Sequence, residues 1–224
     1  MILDLPEHHY ILEPLNNSVF LFKCDDKNIE NVISSNSKRV KIEVKPKILD
    51  MPILVRLNND IVVSERNKIC GYIVMPVGIA IYARFGDNRY MLDEIKPELK
   101  RIYFGQLTGE GSLSYLHYVD WSVKPPDKIR EFEAVMLVEI SNMLSETYRI
   151  NSFQIFPKNI QIYIKGNIIF TNKGIINIVR EDEVVFEYDM SSSISRGELL
   201  EDALEGHDRS VISTVSDIKR YFRR

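Results

Sequence analysis

At 224 residues, with 45% hydrophobic and 27% charged side chains, the chain has an ordinary globular composition, enough for one large all-β domain or two small ones. Its net charge of −3 provides no basic field for phosphate-driven binding of nucleic acid. Cys24 and Cys70 make no disulfide framework, and Asp4, Pro6 and Glu7 stand where a signal peptide needs a basic and then an apolar stretch; both point to a cytoplasmic, reducing setting.

Strand signals dominate from the start. Residues 18–23 (SVFLFK) precede a polar gap at 25–28, and 39–45 (RVKIEVK) alternates, with Val40, Ile42 and Val44 expected inward and Arg39, Lys41, Glu43 and Lys45 outward. Pro46 is expected to end that strand. Asn58, Asn59 and Asp60 read as a turn between 53–57 and 61–63. The most apolar run is 69–83, fifteen uncharged residues closed by Lys68 and Arg84. It is short of the roughly 20 apolar residues a spanning helix needs, and Pro76 interrupts it, so core strands are expected and no transmembrane segment.

Residues 92–100 (LDEIKPELK) are charged and short of strand formers, which sets a candidate boundary at Pro97. Strands are expected at 101–104, 113–121, 132–140 and 152–156, then in a meander at 160–165, 168–171, 175–179 and 184–188 with turns at Gly166-Asn167 and Asn172-Lys173-Gly174. About seven strands at such spacing suggest an immunoglobulin-like sandwich. After the serines at 191–193, Ser195 and Glu198 read as a capping box ahead of Leu199, Leu200, Ala203 and Leu204 on one helical face, with Gly206 as the stop. Val211, Val215, Ile218 and Phe222 then form a second helical stripe.

The segments YIVMPVGIAIYA (72–83), IYFGQLTGEGSLSYLHYVDW (102–121) and FEAVMLVEISNMLSETYRINSFQIF (132–156) resemble an uncharacterised, mainly archaeal domain-of-unknown-function family. The likeness covers roughly residues 50–190 and rests on apolar patterning with fixed polar points such as Gly105 and Asn142. It implies an all-β fold and a source, and it carries no catalytic motif. It also implies that the Pro-Val pair is kept without the glycine, which favours one strand bent at Pro76 over a hairpin.

The residues that invite a chemical role each have a plainer reading. Alternation puts Leu113, Tyr115, His117, Val119 and Trp121 on one face with Asp120 on the other, so His117 is expected as a hydrogen-bonded core histidine, or as part of an aromatic sugar platform if that face is open. His8 and His9 are adjacent and match no spaced ligand motif, and His207-Asp208 reads as a helix junction capped by Asp208. Cys70, inside the apolar run, is expected buried and inert. Cys24 precedes two aspartates, whose charge raises a thiol pKa. Gly109-Glu110-Gly111 has an acid among its amides and a strand after it, which suits a hairpin loop rather than a phosphate cradle. Lys38, Arg39, Lys41, Lys45 and Lys47 with Pro46 suit a protected edge strand.

The expectation is an all-β protein of immunoglobulin-like β-sandwich modules with a C-terminal helical tail: modules at 1–96 and 97–190, which are one domain if they share a core, and the tail at 191–224. No catalytic, cofactor or metal residue is assigned. The expected role is a non-enzymatic protein-interaction or accessory module, binding another protein or a second copy through the tail. The docking residues assigned are Val211, Val215, Ile218, Lys219, Arg220, Tyr221, Phe222, Arg223 and Arg224. The alternative is a ligand-binding or hydrolytic, carbohydrate-type sandwich. Contact with nucleic acid or anionic membrane through the basic terminus is a weaker third.

Overall fold

Val, Ile, Tyr and Phe recurring at period two favour half-buried strands, and the computed structural model is built from them. It describes residues 2–5, 8–34, 40–85, 88–105, 111–165, 168–181, 183–190, 198–202 and 210–213. In chain order the strands are β1 (Ile2–Leu5), β2 (His8–Pro14), β3 (Val19–Cys24), β4 (Ile29–Ser34), β5 (Lys41–Lys47), β6 (Ile53–Val63), β7 (Lys68–Pro76), β8 (Gly78–Phe85), β9 (Asn88–Ile95), β10 (Lys100–Gly105), β11 (Gly111–Val119), β12 (Glu133–Asn142), β13 (Tyr148–Ile155), β14 (Gln161–Lys165), β15 (Ile168–Thr171), β16 (Lys173–Arg180), β17 (Glu183–Asp189), β18 (Glu198–Asp202) and β19 (Ser210–Ser213). The chain groups into two units, Met1–Lys45 with Ile79–Ile95, and Pro46–Gly78 with Lys96–Arg224. Residues 46–78, expected in an N-terminal module, thus pack in the second unit. Among the described residues no helix is long and apolar enough to cross a membrane.

The first unit holds an antiparallel meander, β1-β2-β3-β4, and a three-stranded sheet in the order β5-β8-β9. Tyr10, Leu12, Leu21 and Phe22 are buried, and the Tyr10 and Phe22 rings stack at 5.3 Å. On the three-stranded sheet Ala80, Ile81, Ala83 and Ile95 are buried. β5 is an edge strand, yet its alternation is not the expected one. Val44 is exposed while the Glu43 carboxylate is nearly covered and pairs with Arg84 at 3.2 Å, so a cross-strand ion pair overrides apolar patterning at this edge.

In the second unit one sheet runs β10-β11-β6-β13, and the other is built around β12. β7 pairs with β12 from Lys68↔Ser141 to Pro76↔Glu133, and the opposite edge of β12 carries β15 and then β16. Ala134, Val135, Met136, Val138 and Ile140 of β12 are fully buried. Of these, Ala134, Met136, Val138 and Ile140 share one core with Val55 and Val63 of β6, Phe153 and Ile155 of β13, and Ile176 and Ile178 of β16. At one corner of this core the Asn142 amide donates to the carbonyls of Val63, Ser64 and Glu146 at 3.0, 3.1 and 2.7 Å and accepts from the Leu144 N–H at 3.0 Å. A buried amide so fully satisfied fixes the chain reversal between β12 and β13.

Several expectations need correction. The two antiparallel sheets of an immunoglobulin sandwich are not what is found: β11 runs parallel to β6, and β12 runs parallel to β15 and β16. The turn at Asn58–Asp60 is instead an irregular stretch inside β6, where the register with β13 jumps from Ile61↔Ile150 to Arg56↔Ser152. The turn at Asn172–Gly174 is a bulge: β15 and β16 continue in one direction, and Asn172 is the extra residue between Val135↔Phe170 and Val138↔Gly174. Its buried side chain takes the place of ladder bonds, receiving the Gln161 N–H at 3.0 Å and donating to the Asn159 carbonyl at 2.9 Å. The expected tail helices are not seen where the tail is described, because β18 pairs with β14 and β19 with β17.

The run 69–83 is not a hairpin, since β7 pairs with β12 and β8 with β9. Pro76, which lacks an N–H, closes β7, and the next N–H, that of Val77, donates to the Phe132 carbonyl at 2.8 Å. Cys70 on β7 is exposed rather than buried, because the inward positions of this strand are Gly71, Ile73 and Met75.

Gly71 lies beneath the only tryptophan of the chain; a Cβ there would stand 2.2 Å from Cε2 of Trp121. Gly71→Ala therefore must displace the indole, and we expect a loss of about 1–3 kcal/mol of stability. Denaturant unfolding should show it together with a red-shifted tryptophan emission; an unchanged midpoint would contradict this packing.

Candidate functional site

The β2–β3 hairpin sets Tyr10 opposite Cys24. Continuing that register outward brings His8 toward Asp26, which sits in a short 3₁₀ turn, Asp25–Lys27. Asn28 follows in the left-handed region, with φ 51°, which asparagine tolerates and which turns the chain back into β4. The His8 Nδ1 and an Asp26 carboxylate oxygen are 2.7 Å apart, and one donor atom each from His8, Cys24 and Asp26 lie within 4.8 Å of one another. The thiol forms the floor, since Cys24 is 1% exposed, while the Asp26 side chain is 39% exposed at the rim.

A second layer surrounds these three groups. The Tyr10 hydroxyl donates to Asp93 of β9 at 2.6 Å, and the Lys27 ammonium reaches the same carboxylate oxygen at 2.7 Å. Burial pushes the Cys24 thiol up, and the Asp26 charge adds to that; the Lys27 backbone N–H, the Lys27 charge and the Tyr10 hydroxyl act the other way. The His8 hydrogen bond holds Asp26 below the usual carboxylate range. Burial, followed by the Asp93 hydrogen bond and charge, keeps the Tyr10 hydroxyl protonated far above its ordinary range. The plain reading of the arrangement is a histidine–carboxylate pair over a buried thiol. In sequence His8 and His9 read only as a polar segment; the signal that reveals the cluster is the hairpin register, not a spacing motif.

The same unit presents a second surface. At the β8–β9 hairpin Tyr90 and Met91 are 57% and 51% exposed, the Arg89 guanidinium lies 4.1 Å from the centre of the Tyr82 ring, and Phe85 and Tyr90 have ring centres 5.8 Å apart. An exposed cation–π contact of this kind contributes about 0.5–1 kcal/mol, which preorders the arginine.

The other residues noted in the sequence are dispersed. His9 is exposed on β2. Lys41, Lys45 and Lys47 lie on β5, whereas Lys38 and Arg39 fall outside the described residues. Asp120 accepts from the Asn58 amide at 2.9 Å. Cys70 lies 3.6 Å from Glu139, a carboxylate that also binds Lys173 at 2.8 Å, and the thiol is pushed up by burial and by that charge. Gly111 opens β11, while Gly109, Glu110, His207 and Asp208 lie outside the described residues. Of the assigned docking residues, Val211 is in β19, paired with Val185; Val215, Ile218, Lys219, Arg220, Tyr221, Phe222, Arg223 and Arg224 lie outside the described residues.

His117 shares its face of β11 with the buried Tyr115 and Val119, and its Nε2 donates to the Val74 carbonyl of β7 at 3.1 Å. Burial holds the imidazole below its usual pKa, against the Val74 hydrogen bond and the Glu133 charge. A group depressed in this way stabilises the fold above its unfolded pKa of about 6.5, and the contribution is lost as pH falls toward the folded value. The thermal midpoint of the native chain should therefore drop more than that of His117→Gln between pH ~7 and pH ~5. Parallel pH profiles of the two proteins would contradict the assignment.

Comparison with known proteins places this geometry in a family context. No curated protein and no solved structure matches the chain. The family pattern described as "Protein of unknown function (DUF432)" matches residues 6–216, which includes every strand from β2 to β19, and the chain belongs to that family.

Proposed function

We propose that the protein is a non-enzymatic interaction module whose partner is another protein, and that it binds through the β8–β9 hairpin of the first unit. The observation that carries this reading is the composition of the exposed hairpin: Tyr82, Arg84, Phe85, Arg89, Tyr90 and Met91 within ten positions of sequence. Aromatic residues, arginine and methionine are the types enriched in protein interfaces, and tyrosine and arginine recur among their hot spots. The two free thiols support a reducing compartment such as the cytoplasm. The tail does not carry the reading, since its described segments pair within the second unit's own sheet. A ligand-binding role is the alternative, and the convergence of His8, Cys24 and Asp26 favours it.

A photo-crosslinking residue at position 90 of the full chain, used in native extract, tests the proposal. It should give a discrete protein adduct that unlabelled native chain competes away. Arg89→Ala with Tyr90→Ala should compete about 30-fold less well, the equivalent of a 2 kcal/mol hot spot. Equal competition by the double variant, or adducts abolished by nuclease, would overturn it.

A further inference from the structure

The geometry points to a binding site for a zinc-class divalent transition ion at His8, Cys24 and Asp26, with the fourth coordination position open to solvent. This inference is independent of the hairpin reading, and either stands if the other fails.

Imidazole, thiolate and carboxylate form a donor set of the borderline-soft kind that zinc takes, and three protein ligands with one open position is a recurring zinc arrangement. The distances suit the ion. Tetrahedral zinc spaces such ligand atoms roughly 3.3–3.6 Å apart, and here the three atoms lie within 4.8 Å of one another, with the closest pair at 2.7 Å. Loading thus asks His8 and Asp26 to part slightly while the thiol draws in. Asp26 lies in a turn and is exposed, so the movement falls on the least confined ligand.

A second observation separates this cluster from an ion pair that happens to lie above a cysteine. Tyr10 stands directly opposite Cys24 in the hairpin register, and Lys27 closes the 3₁₀ turn that carries Asp26. Groups fixed around metal ligands in this way orient and tune them. Tyr10 and Lys27 are in turn held by Asp93, so the support around the sulfur exists before any ion arrives. Exposed Cys70 instead faces the Glu139 carboxylate at 3.6 Å, outside this cluster, and serves as an internal control. On loading, the thiol proton and any proton on His8 Nδ1 leave to solvent, and Nε2 holds the one proton of the neutral imidazole ligand.

The test uses the full chain, without an affinity tag, reduced by a phosphine and titrated with Co²⁺ as the probe. One equivalent should bind with a thiolate-to-cobalt charge-transfer band and tetrahedral visible bands, and one equivalent of Zn²⁺ should abolish both. Cys24→Ser should lose the charge-transfer band, Cys70→Ser should keep it, and His8→Ala should bind more than about 100-fold more weakly, beyond what loss of an outer-sphere partner costs. Absence of saturable binding, a band that survives Cys24→Ser, or a band lost in Cys70→Ser would overturn the site. Should the buried Cys24→Ser fail to fold, His8→Ala decides the matter: a folded variant, verified by circular dichroism, that binds Co²⁺ as tightly as the native chain also overturns it.

Discussion

Asp93 receives two hydrogen bonds on one carboxylate oxygen, from the Tyr10 hydroxyl at 2.6 Å and from the Lys27 ammonium at 2.7 Å. Its side chain is only 12% exposed, and a carboxylate that far from water persists only where charge and donors compensate it. The three residues come from β9, β2 and the turn after β3, so this one group fastens the meander of the first unit to its three-stranded sheet. The Asn31 amide, reaching the Leu92 carbonyl at 3.4 Å, adds a weaker tie along the same seam. The packing of this unit and the chemistry around Cys24 therefore rest on the same carboxylate.

The second unit is organised differently. Its central strand, β12, is buried along its length and accepts an antiparallel neighbour on one edge and parallel neighbours on the other. Strands buried on both faces read as continuous apolar runs, and 134–140 (AVMLVEI) is such a run, broken only by Glu139. That carboxylate is held below its ordinary pKa by the Lys173 hydrogen bond from the adjacent strand β16. A charge enters a central strand here because its partner sits one strand away.

Local pattern made most strands legible, because alternation and β-branched runs record which backbone is extended. It did not reveal partners. Parallel pairing of β12 with β16 leaves no turn signal, and the asparagines at 58, 59 and 172 read as reversals although two lie in an irregular stretch of β6 and one at a bulge between β15 and β16. An asparagine amide can replace missing ladder bonds as readily as it can close a turn, so composition alone does not separate the two. The tail shows the opposite failure: Glu198–Asp202 has helical spacing yet pairs with β14, the tertiary context prevailing over periodicity. His8, Cys24 and Asp26 matched no motif because the hairpin register, not sequence spacing, brings them together.

The central claim is that the first unit assembles a three-ligand site around a buried sulfur. X-ray absorption at the zinc edge of the full chain loaded with one equivalent of Zn²⁺ tests this most directly. The account predicts a shell with one sulfur at about 2.3 Å and the remaining nitrogen and oxygen ligands at about 2.0 Å. A shell without sulfur, or with more than one, would contradict it.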